Sequence, residues 1–388
     1  MKKINFFYSE DQIILYSLFP IFKNKKKLKD LGYEVSFYKK ICLKLFECQY
    51  LIIFSKSLIH QLKNETTIFT EEGKIISFLK TAKKRVNKLI WFDSSDSTSV
   101  THFEVMPYID LYLKKQIFKN KNLYQRNFYG GRIFSDFYHK KFKVKDEIEF
   151  KQFYPLKKKY FKKLNIAWNI GLGNVFETFN KTNIVLRRFF PFLVKDIYKL
   201  DYHPFENKRF IDLMFRGSLS YSRNTIKFHR ELIYKNCNEI VRKEKLVSVV
   251  GSNVINHKLN NEILEKAKKR LSIKEYMYIM RKSKISISPF GWGEIGARDF
   301  ESIVSGSLLF KPHMNHMLTW PKFFVPFKTY IPLKWDFSDL DRRIKYYLNN
   351  YKISKKISMN AQNKFRKSVS KEGMNEFCNH FIKQINLD

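Results

Sequence analysis

The stretch from Phe290 to Glu301, FGWGEIGARDFE, concentrates side chains that can do chemistry. It holds three of the 13 glycines and follows an alternating apolar run, KISISP, that predicts a strand. Gly291 and Gly293 let the backbone approach a ligand, and the start of the next helix offers amide hydrogens to a phosphate. Arg298 adds a cation, and the carboxylate of Glu301 can accept hydrogen bonds from sugar hydroxyls. These residue types suit a nucleotide sugar, although a plain turn and helix cap would use the same residues.

Two further residues in this half of the chain are candidates for donor contacts. Glu294 lies seven positions before Glu301, which places both carboxylates on nearly the same face if the helix is continuous. Lys311 ends the apolar run SLLFK, where its ammonium group either reaches a phosphate or simply marks the exit of a strand.

A second group of polar residues, WFDSSDSTSVTHFE, follows the predicted strand KLIW. Asp93, Asp96 and His102 lie where an acceptor would meet the donor, so that one of them would take the proton of the acceptor hydroxyl as general base. Asp93 is the first choice. Runs of Asp and Ser after strands also form turns and helix N-caps, which is the interpretation we favour for Asp96.

The elements that must position these residues alternate between short apolar runs and amphipathic stretches. INFFY, YEVSFY, YLIIFS, KLIWFD and DLYLK predict the strands of a first parallel sheet, and RFIDLMFRG, KLVSVV, KISIS and SLLFKP predict those of a second. The sequence therefore predicts an α/β protein with two units facing a cleft. The predicted domains are residues 1–200, with a Lys- and Phe-rich insertion, residues 201–355, and helices over 356–388.

From Tyr276 to Trp320 the sequence resembles the donor-binding half of GT-B glycosyltransferases, in particular the bacterial exostosin-like and spore-protein-like enzymes. The shared frame is YMYIMRKSKISISPFGWGEIGARDFESIVSGSLLFKP: a helix, a strand ending in Ser-Pro, a glycine loop, Arg-x-x-Glu, a helix and a strand. The resemblance implies two Rossmann-like domains, with a C-terminal helix crossing back to the first. It also implies that Glu301 binds the donor ribose and that Arg298 binds the phosphates.

The same resemblance places Arg216 and Gly217, in MFRGSLS, at a turn that faces the donor diphosphate. A strand-end glycine beside a solvated arginine explains this pair equally well. The sequence departs from the family at Glu294: six residues separate it from Glu301, whereas retaining members often have seven. The resemblance therefore assigns neither a role to Glu294 nor a stereochemical outcome.

The composition is strongly basic, with 74 Lys and Arg against 36 Asp and Glu and a formal net charge of +38. Such a charge attracts polyanions, including nucleic acid, anionic membrane surfaces and phosphorylated substrates. Only 16 of these cations are Arg, and a drift of the composition toward Lys, Asn, Ile and Phe explains the excess as well as selection does. The net charge alone does not name a partner.

Several classes of protein lose support from the sequence. The four cysteines have neither a disulfide framework nor a C-x-x-C spacing, and no run of about 20 apolar residues occurs. The N-terminal stretch is interrupted by charges and lacks a cleavage site, so the expected location is the cytoplasm. The sole Asp-x-Asp, Asp339 to Asp341, opens a predicted helix, where capping is its expected role, so we expect no essential metal.

The sequence thus predicts a glycosyltransferase with a nucleotide-sugar substrate and no separate cofactor. Its acceptor would be a glycan or a lipid-linked glycan, with the first domain held against the inner face of an anionic membrane; no specific nucleic acid is expected. The alternatives left open are a non-catalytic polyanion-binding or nucleic-acid-binding protein and a transferase-like protein that binds without turnover.

Overall fold

The computed structural model describes residues 1–62, 73–147, 153–173, 202–205, 208–252 and 271–387 of the chain. Their strands form one parallel sheet of six strands, one of five, and a separate antiparallel pair. Helices lie between most of the successive parallel strands, which is the arrangement of a Rossmann-like unit. The predicted α/β class with two Rossmann-like domains is confirmed.

The first sheet is formed by the apolar runs that begin the sequence. Its strands are β1 (Lys2–Phe7), β2 (Tyr33–Tyr38), β3 (Tyr50–Phe54), β4 (Lys88–Asp93), β5 (Leu111–Lys114) and β7 (Leu164–Ile166). They lie in the order β2-β1-β3-β4-β5-β7, and every neighbouring pair is parallel. The central strand β3 is buried at all of its positions, as expected where both faces of a parallel sheet are covered.

The second sheet repeats this construction in the later half of the chain. Its strands are β8 (Ile211–Gly217), β9 (Ser248–Ser252), β10 (Ser283–Ile287), β11 (Leu308–Pro312) and β13 (Ile331–Leu333). They lie in the order β13-β11-β10-β8-β9 and are all parallel. Because parallel strands end at the same edge, the carboxyl ends of β8, β9 and β10 lie together.

The helices occupy the amphipathic stretches between the strands. They are α1 (Gln12–Lys23), α2 (Lys25–Asp30), α3 (Ser55–Gln61), α4 (Lys74–Arg85), α5 (Ile133–Phe142), α6 (Asn224–Glu244), α7 (Ile273–Lys282), α8 (Ala297–Ser305), α9 (Leu340–Asn349), α10 (Tyr351–Val369) and α11 (Lys371–Ile385). Local sequence sets their ends. Ser272 Oγ accepts from the Glu275 amide at the start of α7, and Gly306, at a φ of 70°, ends α8.

The last two helices connect the domains. Along α10, Phe365 packs 5.4 Å from Phe300 of the second domain, measured between ring centroids. Along α11, Phe381 packs 6.1 Å from Phe6 of the first sheet, and the Tyr50 hydroxyl donates to Asn386 Oδ1 at 2.6 Å. The predicted return of the C-terminal helix to the first domain is confirmed. The predicted boundary near residue 200 and most of the Lys- and Phe-rich insertion lie outside the described residues.

A pair of short strands also crosses between the domains. β6 (Gln116–Phe118) belongs to the first domain and pairs antiparallel with β12 (Met317–Thr319) of the second. We call this pair the cross-domain ribbon. It is continued by the Lys119 amide, which donates to the carbonyl oxygen of His316 at 3.0 Å. Among the described residues, no helix combines the length and the apolar character needed to cross a membrane.

Candidate functional site

Glycines mark the carboxyl edge of the second sheet. β8 ends at Gly217, Gly251 lies in β9 one residue before its end, and β10 leads into residues 290–296, which we call the glycine loop. α8 begins directly after this loop, so the N-terminus of the helix adjoins the loop. This edge therefore combines close backbone approach with a helix N-terminus, the combination on which anions bind in α/β folds.

Two guanidinium groups meet at Gly217. A Cβ atom placed on this residue would lie 2.4 Å from Arg230 Nη2 and 2.9 Å from Arg298 Nη1. Any side chain at Gly217 would therefore displace the two arginines. Arg230 comes from the first half of α6 and is held by two carbonyls: Nε donates to Ser218 at 2.6 Å and Nη1 donates to Phe290 at 2.8 Å.

The two arginines are like charges in a buried setting. Burial, followed by the positive charge of Arg298, lowers the pKa of Arg230 to about 10. Arg230 is 4% exposed, and its guanidinium lies 5.2 Å from the ring centroid of Tyr221. Bringing the half-buried Arg298 next to the buried Arg230 is costly unless an anion accompanies the two cations. The geometry therefore suits a phosphate or diphosphate.

Glu301 lies one turn beyond Arg298 on α8, and Tyr276 of α7 connects the two. Arg298 Nε donates to the Tyr276 hydroxyl at 3.1 Å, and the same tyrosine lowers the pKa of the neighbouring Glu301 carboxylate. Burial raises the pKa of Glu301, although Arg298 and Tyr276 oppose this shift. A partly buried carboxylate beside a diphosphate site is well placed to accept hydrogen bonds from a ribose.

Arg216 extends the positive edge toward β9. A Cβ atom at Gly251 would lie 2.4 Å from Arg216 Nη1, so the guanidinium lies directly over the backbone of the neighbouring strand. Arg216 is 5% exposed, and burial lowers its pKa. The interpretation of this residue as a solvated surface arginine is therefore wrong.

Glu294 does not share a helical face with Glu301, because α8 begins only at Ala297. Its carboxylate is fully buried and faces the first domain. There it accepts from the Thr98 amide at 3.0 Å and from Ser97 Oγ at 3.2 Å. The structure thus uses Glu294 to attach the glycine loop to the first domain, not as a donor contact.

Gly293 and Gly291 fit this attachment. A Cβ atom at Gly293 would lie 2.0 Å from the carbonyl oxygen of Asp96, so only glycine allows the loop to approach the first domain this closely. A Cβ atom at Gly291 would lie 3.0 Å from the hydroxyl of Tyr221. Arg132 of the first domain completes the junction by donating from Nε to the Trp292 carbonyl at 2.9 Å.

Lys311 lies beneath the glycine loop. Its side chain is 1% exposed, and Nζ donates to Asp299 Oδ1 at 2.9 Å. Ser288 Oγ donates to the same oxygen at 2.6 Å, and the Gly296 amide donates to Asp299 Oδ2 at 2.9 Å. The expectation that Lys311 reaches a phosphate is not supported, because its ammonium group is committed to a buried ion pair.

Asp93 is equally enclosed. Lys114 Nζ and the Tyr112 hydroxyl both donate to its Oδ2 at 2.8 Å, and the Ser95 amide donates to Oδ1 at 2.8 Å. Burial alone would raise the pKa of Asp93, but Lys114 and His102 lower it well below the usual value. A general base must reach the acceptor hydroxyl, and a fully buried carboxylate whose pKa is lowered this far is both out of reach and weakly basic, so the structure does not support our first choice.

Asp96 and His102 differ in their exposure and their partners. The side chain of Asp96 is 32% exposed and lies at the edge of the first sheet, where Lys115 Nζ is 3.4 Å from its Oδ1. The side chain of His102 is 12% exposed, and its Nδ1 lies 3.5 Å from Asp93 Oδ1. Asp96 is therefore the predicted acid that combines solvent access with contact to the glycine loop.

Metal-binding geometry does not occur among the described residues, where no group of three or more His, Cys, Asp and Glu side chains lies together. Asp339 instead accepts from the Lys334 amide at 3.0 Å and from Arg343 Nε at 2.5 Å. Asp341 pairs with Lys243 at 3.1 Å.

Sequence reasoning missed Arg230, Tyr276 and Tyr221. Arg230 and Tyr276 lie inside amphipathic helices, where their spacing does not distinguish them from surface residues. The available signal was the residue type: an arginine in the buried stripe of α6 is unusual, because Arg is rarely enclosed without a partner.

Comparisons with known proteins give similarities to solved structures only. No protein-family model matches the chain, and no curated protein does. HepE from Anabaena in complex with UDP-glucose is similar over 99% of this chain and 100% of that chain, at 10% identity and a TM-score of 0.45. MnaA from S. aureus with UDP is similar over 100% and 98%, at 12% identity and a TM-score of 0.45. A glycosyltransferase from Rickettsia africae is similar over 99% and 97%, at 12% identity and a TM-score of 0.45.

Proposed function

We propose that this protein transfers a sugar from a nucleotide-sugar donor to a glycan or lipid-linked acceptor. The observation that carries this proposal is the meeting of Arg230 and Arg298 at Gly217, with Glu301 one helical turn away. The buried guanidinium of Arg230 and the half-buried guanidinium of Arg298 match a diphosphate, and a nearby carboxylate matches the ribose hydroxyls. A general polyanion-binding surface needs exposed cations, and this enclosed arrangement does not provide them.

In this proposal the second domain stabilises the leaving group. Negative charge grows on the diphosphate as the bond to the sugar breaks, and prepositioned arginines and the α8 amides stabilise that charge. Glu301 holds the ribose, and Tyr276, which lies next to both Glu301 and Arg298, fixes the positions of these two side chains. The nucleotide sugar is a substrate, and the reaction is proposed to proceed without an essential metal or a separate cofactor.

The first domain would present the acceptor. Asp96 follows β4 and is in backbone contact with Gly293, so a hydroxyl bound beside it lies next to the donor loop. We propose Asp96 as the group that receives the acceptor proton if the reaction inverts the anomeric carbon. Asp93 would act indirectly, by holding Lys114 and His102 in place.

The proposed peripheral membrane contact also concerns the first domain. Tyr108 and Tyr160, both partly exposed, are among the residues that line a pocket of about 340 Å³ there. Lys157, Lys158 and Lys159 are exposed at its border. Aromatic side chains flanked by lysines support peripheral binding to an anionic lipid surface, where lipid-linked acceptors are found.

The first experiment is a thermal-shift screen with UDP, GDP, CMP and dTDP at two salt concentrations. A bound nucleotide raises the unfolding temperature in proportion to the logarithm of its concentration over Kd. We expect one nucleoside diphosphate to stabilise the wild type, and Glu301→Ala and Arg230→Lys to remove most of that gain. Arg242→Lys, an exposed position on the same helix α6, is the matched control and should retain the full gain.

The outcome separates the proposal from its rival. Selective stabilisation that depends on Arg230 and Glu301 supports a donor site. Equal effects from all four nucleotides, which fade with salt and persist in both variants, would contradict it and favour a polyanion-binding protein.

A further inference from the structure

A cluster of lysines lies at the carboxyl edge of the first sheet, outside the donor site. β3, β4 and β5 are parallel neighbours, so the residues that follow them meet at one edge. Lys56 follows β3, Asp96 follows β4 and Lys115 follows β5. Lys115 Nζ lies 3.4 Å from Asp96 Oδ1, and Lys56 Nζ lies 4.0 Å from Asp96 Oδ2. We call Lys56, Lys115 and the aspartate between them, Asp96, the lysine cluster.

The lysine cluster carries more positive than negative charge. One carboxylate, that of Asp96, is shared by two ammonium groups, and the nearby Lys114 is already paired with Asp93 at 2.8 Å. The side chain of Lys115 is 4% exposed, whereas those of Lys56 and Asp96 are 29% and 32% exposed. Burial lowers the pKa of Lys115, and the charges of Lys56 and Lys114 add to this effect, whereas Asp96 opposes it. A further anion would therefore stabilise the buried ammonium group.

Hydroxyl groups surround the same edge. Ser94 is fully buried, and its Oγ has no hydrogen-bond partner among the described residues. The Ser94 amide donates to Ser55 Oγ at 2.9 Å, and Ser57 Oγ donates to Ser9 Oγ at 3.2 Å. Ser55 and Ser94 follow β3 and β4 at the same sheet edge as Lys56 and Lys115. Hydroxyl and ammonium groups are both side chains that commonly bind phosphoryl oxygens.

The lysine cluster adjoins the donor site, because the carbonyl oxygen of Asp96 is in contact with Gly293 of the glycine loop. The donor diphosphate already has the arginines at Gly217, so a second anion site on the opposite domain belongs to the other substrate. We propose that the acceptor carries a phosphoryl group and that Lys56 and Lys115 bind it. This inference rests on the proposed function, since it names the class of acceptor for the same cleft.

The experiment is a calorimetric titration of inorganic phosphate into the full-length protein. Arg230→Lys serves as the background, because it weakens phosphate binding at the arginines of the second domain. We expect Lys115→Gln and Lys56→Gln to weaken phosphate binding by roughly tenfold, the usual scale for one charged hydrogen bond. Lys83→Gln, which removes an exposed partner of Asp110 elsewhere on the first domain, should leave binding unchanged.

Asp96→Asn gives the opposite expectation. It removes the carboxylate that competes for both lysines, so phosphate should bind more tightly than in the background protein. A merely structural role of Asp96 would not produce this gain. Phosphate binding that is absent, or that is equal in all variants, would overturn the inference.

Two further ligands distinguish the source of the phosphoryl group. Glycerol 3-phosphate represents a soluble phosphorylated acceptor, and phosphatidylcholine vesicles containing phosphatidic acid represent a lipid headgroup. Binding of either that requires Lys115 supports the inference and identifies the source. The nucleotide screen depends on Arg230 and Glu301 instead, so loss of the donor function and loss of the acceptor site are separately visible.

Discussion

Glu294 of the glycine loop accepts a hydrogen bond from the backbone amide of Thr98 across the domain junction, at 3.0 Å. Its other carboxylate oxygen lies 3.4 Å from His316 Nε2. Burial alone would raise the pKa of Glu294, but His316 and the Thr98 amide hold it below the usual value. Glu294 is therefore ionised at neutral pH, and the position of the donor loop depends on the first domain.

Glu294→Gln should destabilise the protein by about 1–3 kcal/mol at pH 7, because it weakens hydrogen bonds to a buried charge. The contribution of a carboxylate with a lowered pKa is present above about pH 4.3, its unfolded value, and is lost as the pH falls through the folded pKa. The difference from wild type should therefore shrink below about pH 4. Urea unfolding at several pH values measures this difference. Glu372 is exposed, so Glu372→Gln is the control and should lower the free energy of unfolding by less than about 0.5 kcal/mol.

Asp93→Asn should cost about 3–5 kcal/mol, because it leaves the fully buried ammonium group of Lys114 without its counter-charge. Lys114→Met in the Asp93→Asn background should recover part of this loss, and a double-mutant cycle in urea measures the coupling. The exposed pair of Asp341 and Lys243 provides the comparison: Asp341→Asn should cost less than about 1 kcal/mol. Additive effects of the Asp93 and Lys114 substitutions would show that the pair is not a coupled unit.

Gly217→Ala should separate nucleotide binding from folding. The new methyl group would push aside the ends of Arg230 and Arg298, which are flexible side chains, so the unliganded protein should remain folded. Nucleotide affinity should fall by roughly tenfold or more, because both guanidinium groups lose their positions. Arg242→Lys, at an exposed position of the same helix as Arg230, is the control. Thermal shift with and without nucleotide reports both quantities, and equal affinity in the two variants would contradict the placement of the diphosphate.

Glu301→Gln should have opposite effects on the unliganded and liganded protein. A carboxylate whose pKa is raised by folding destabilises the folded state progressively as the pH rises from about 4.3 through the folded pKa. The substitution should therefore raise the unfolding temperature at pH 7 without nucleotide, and this gain should disappear near about pH 4. The stabilisation by nucleotide should be smaller than in wild type. A loss of stability at pH 7 without nucleotide would show that Glu301 is a structural partner of Arg298.

The parallel strands and the helices around the donor edge follow from patterns within short windows, and the sequence predicts them well. Arg298 and Glu301 could be assigned to one site because both lie in the same helical turn. Arg230 could not, because it reaches Gly217 from within α6 only after that helix has packed beside β8. Its role depends on a contact between elements, which no local pattern encodes.

Asp93 and Lys311 are more enclosed than the sequence led us to expect, and for the same physical reason. Both residues lie at or near the ends of strands, and we expected them to face the cleft for that reason. Asp93 is in register with Lys114 on the neighbouring strand β5, and the two side chains neutralise each other inside the first domain. Lys311 likewise has its counter-charge in Asp299, a residue of the adjacent helix α8. A strand end indicates the correct edge of a sheet, but the neighbouring strand and helix decide which way the side chain turns.

The cross-domain ribbon limits how the two halves can move. Main-chain hydrogen bonds join Gln116–Phe118 to Met317–Thr319, and these must persist or be replaced whenever the cleft changes shape. A wide clamshell opening would break them, whereas a twist around the ribbon would not. The ribbon thus adds a main-chain connection to the side-chain contacts at the glycine loop, so that any separation of the two halves must break both.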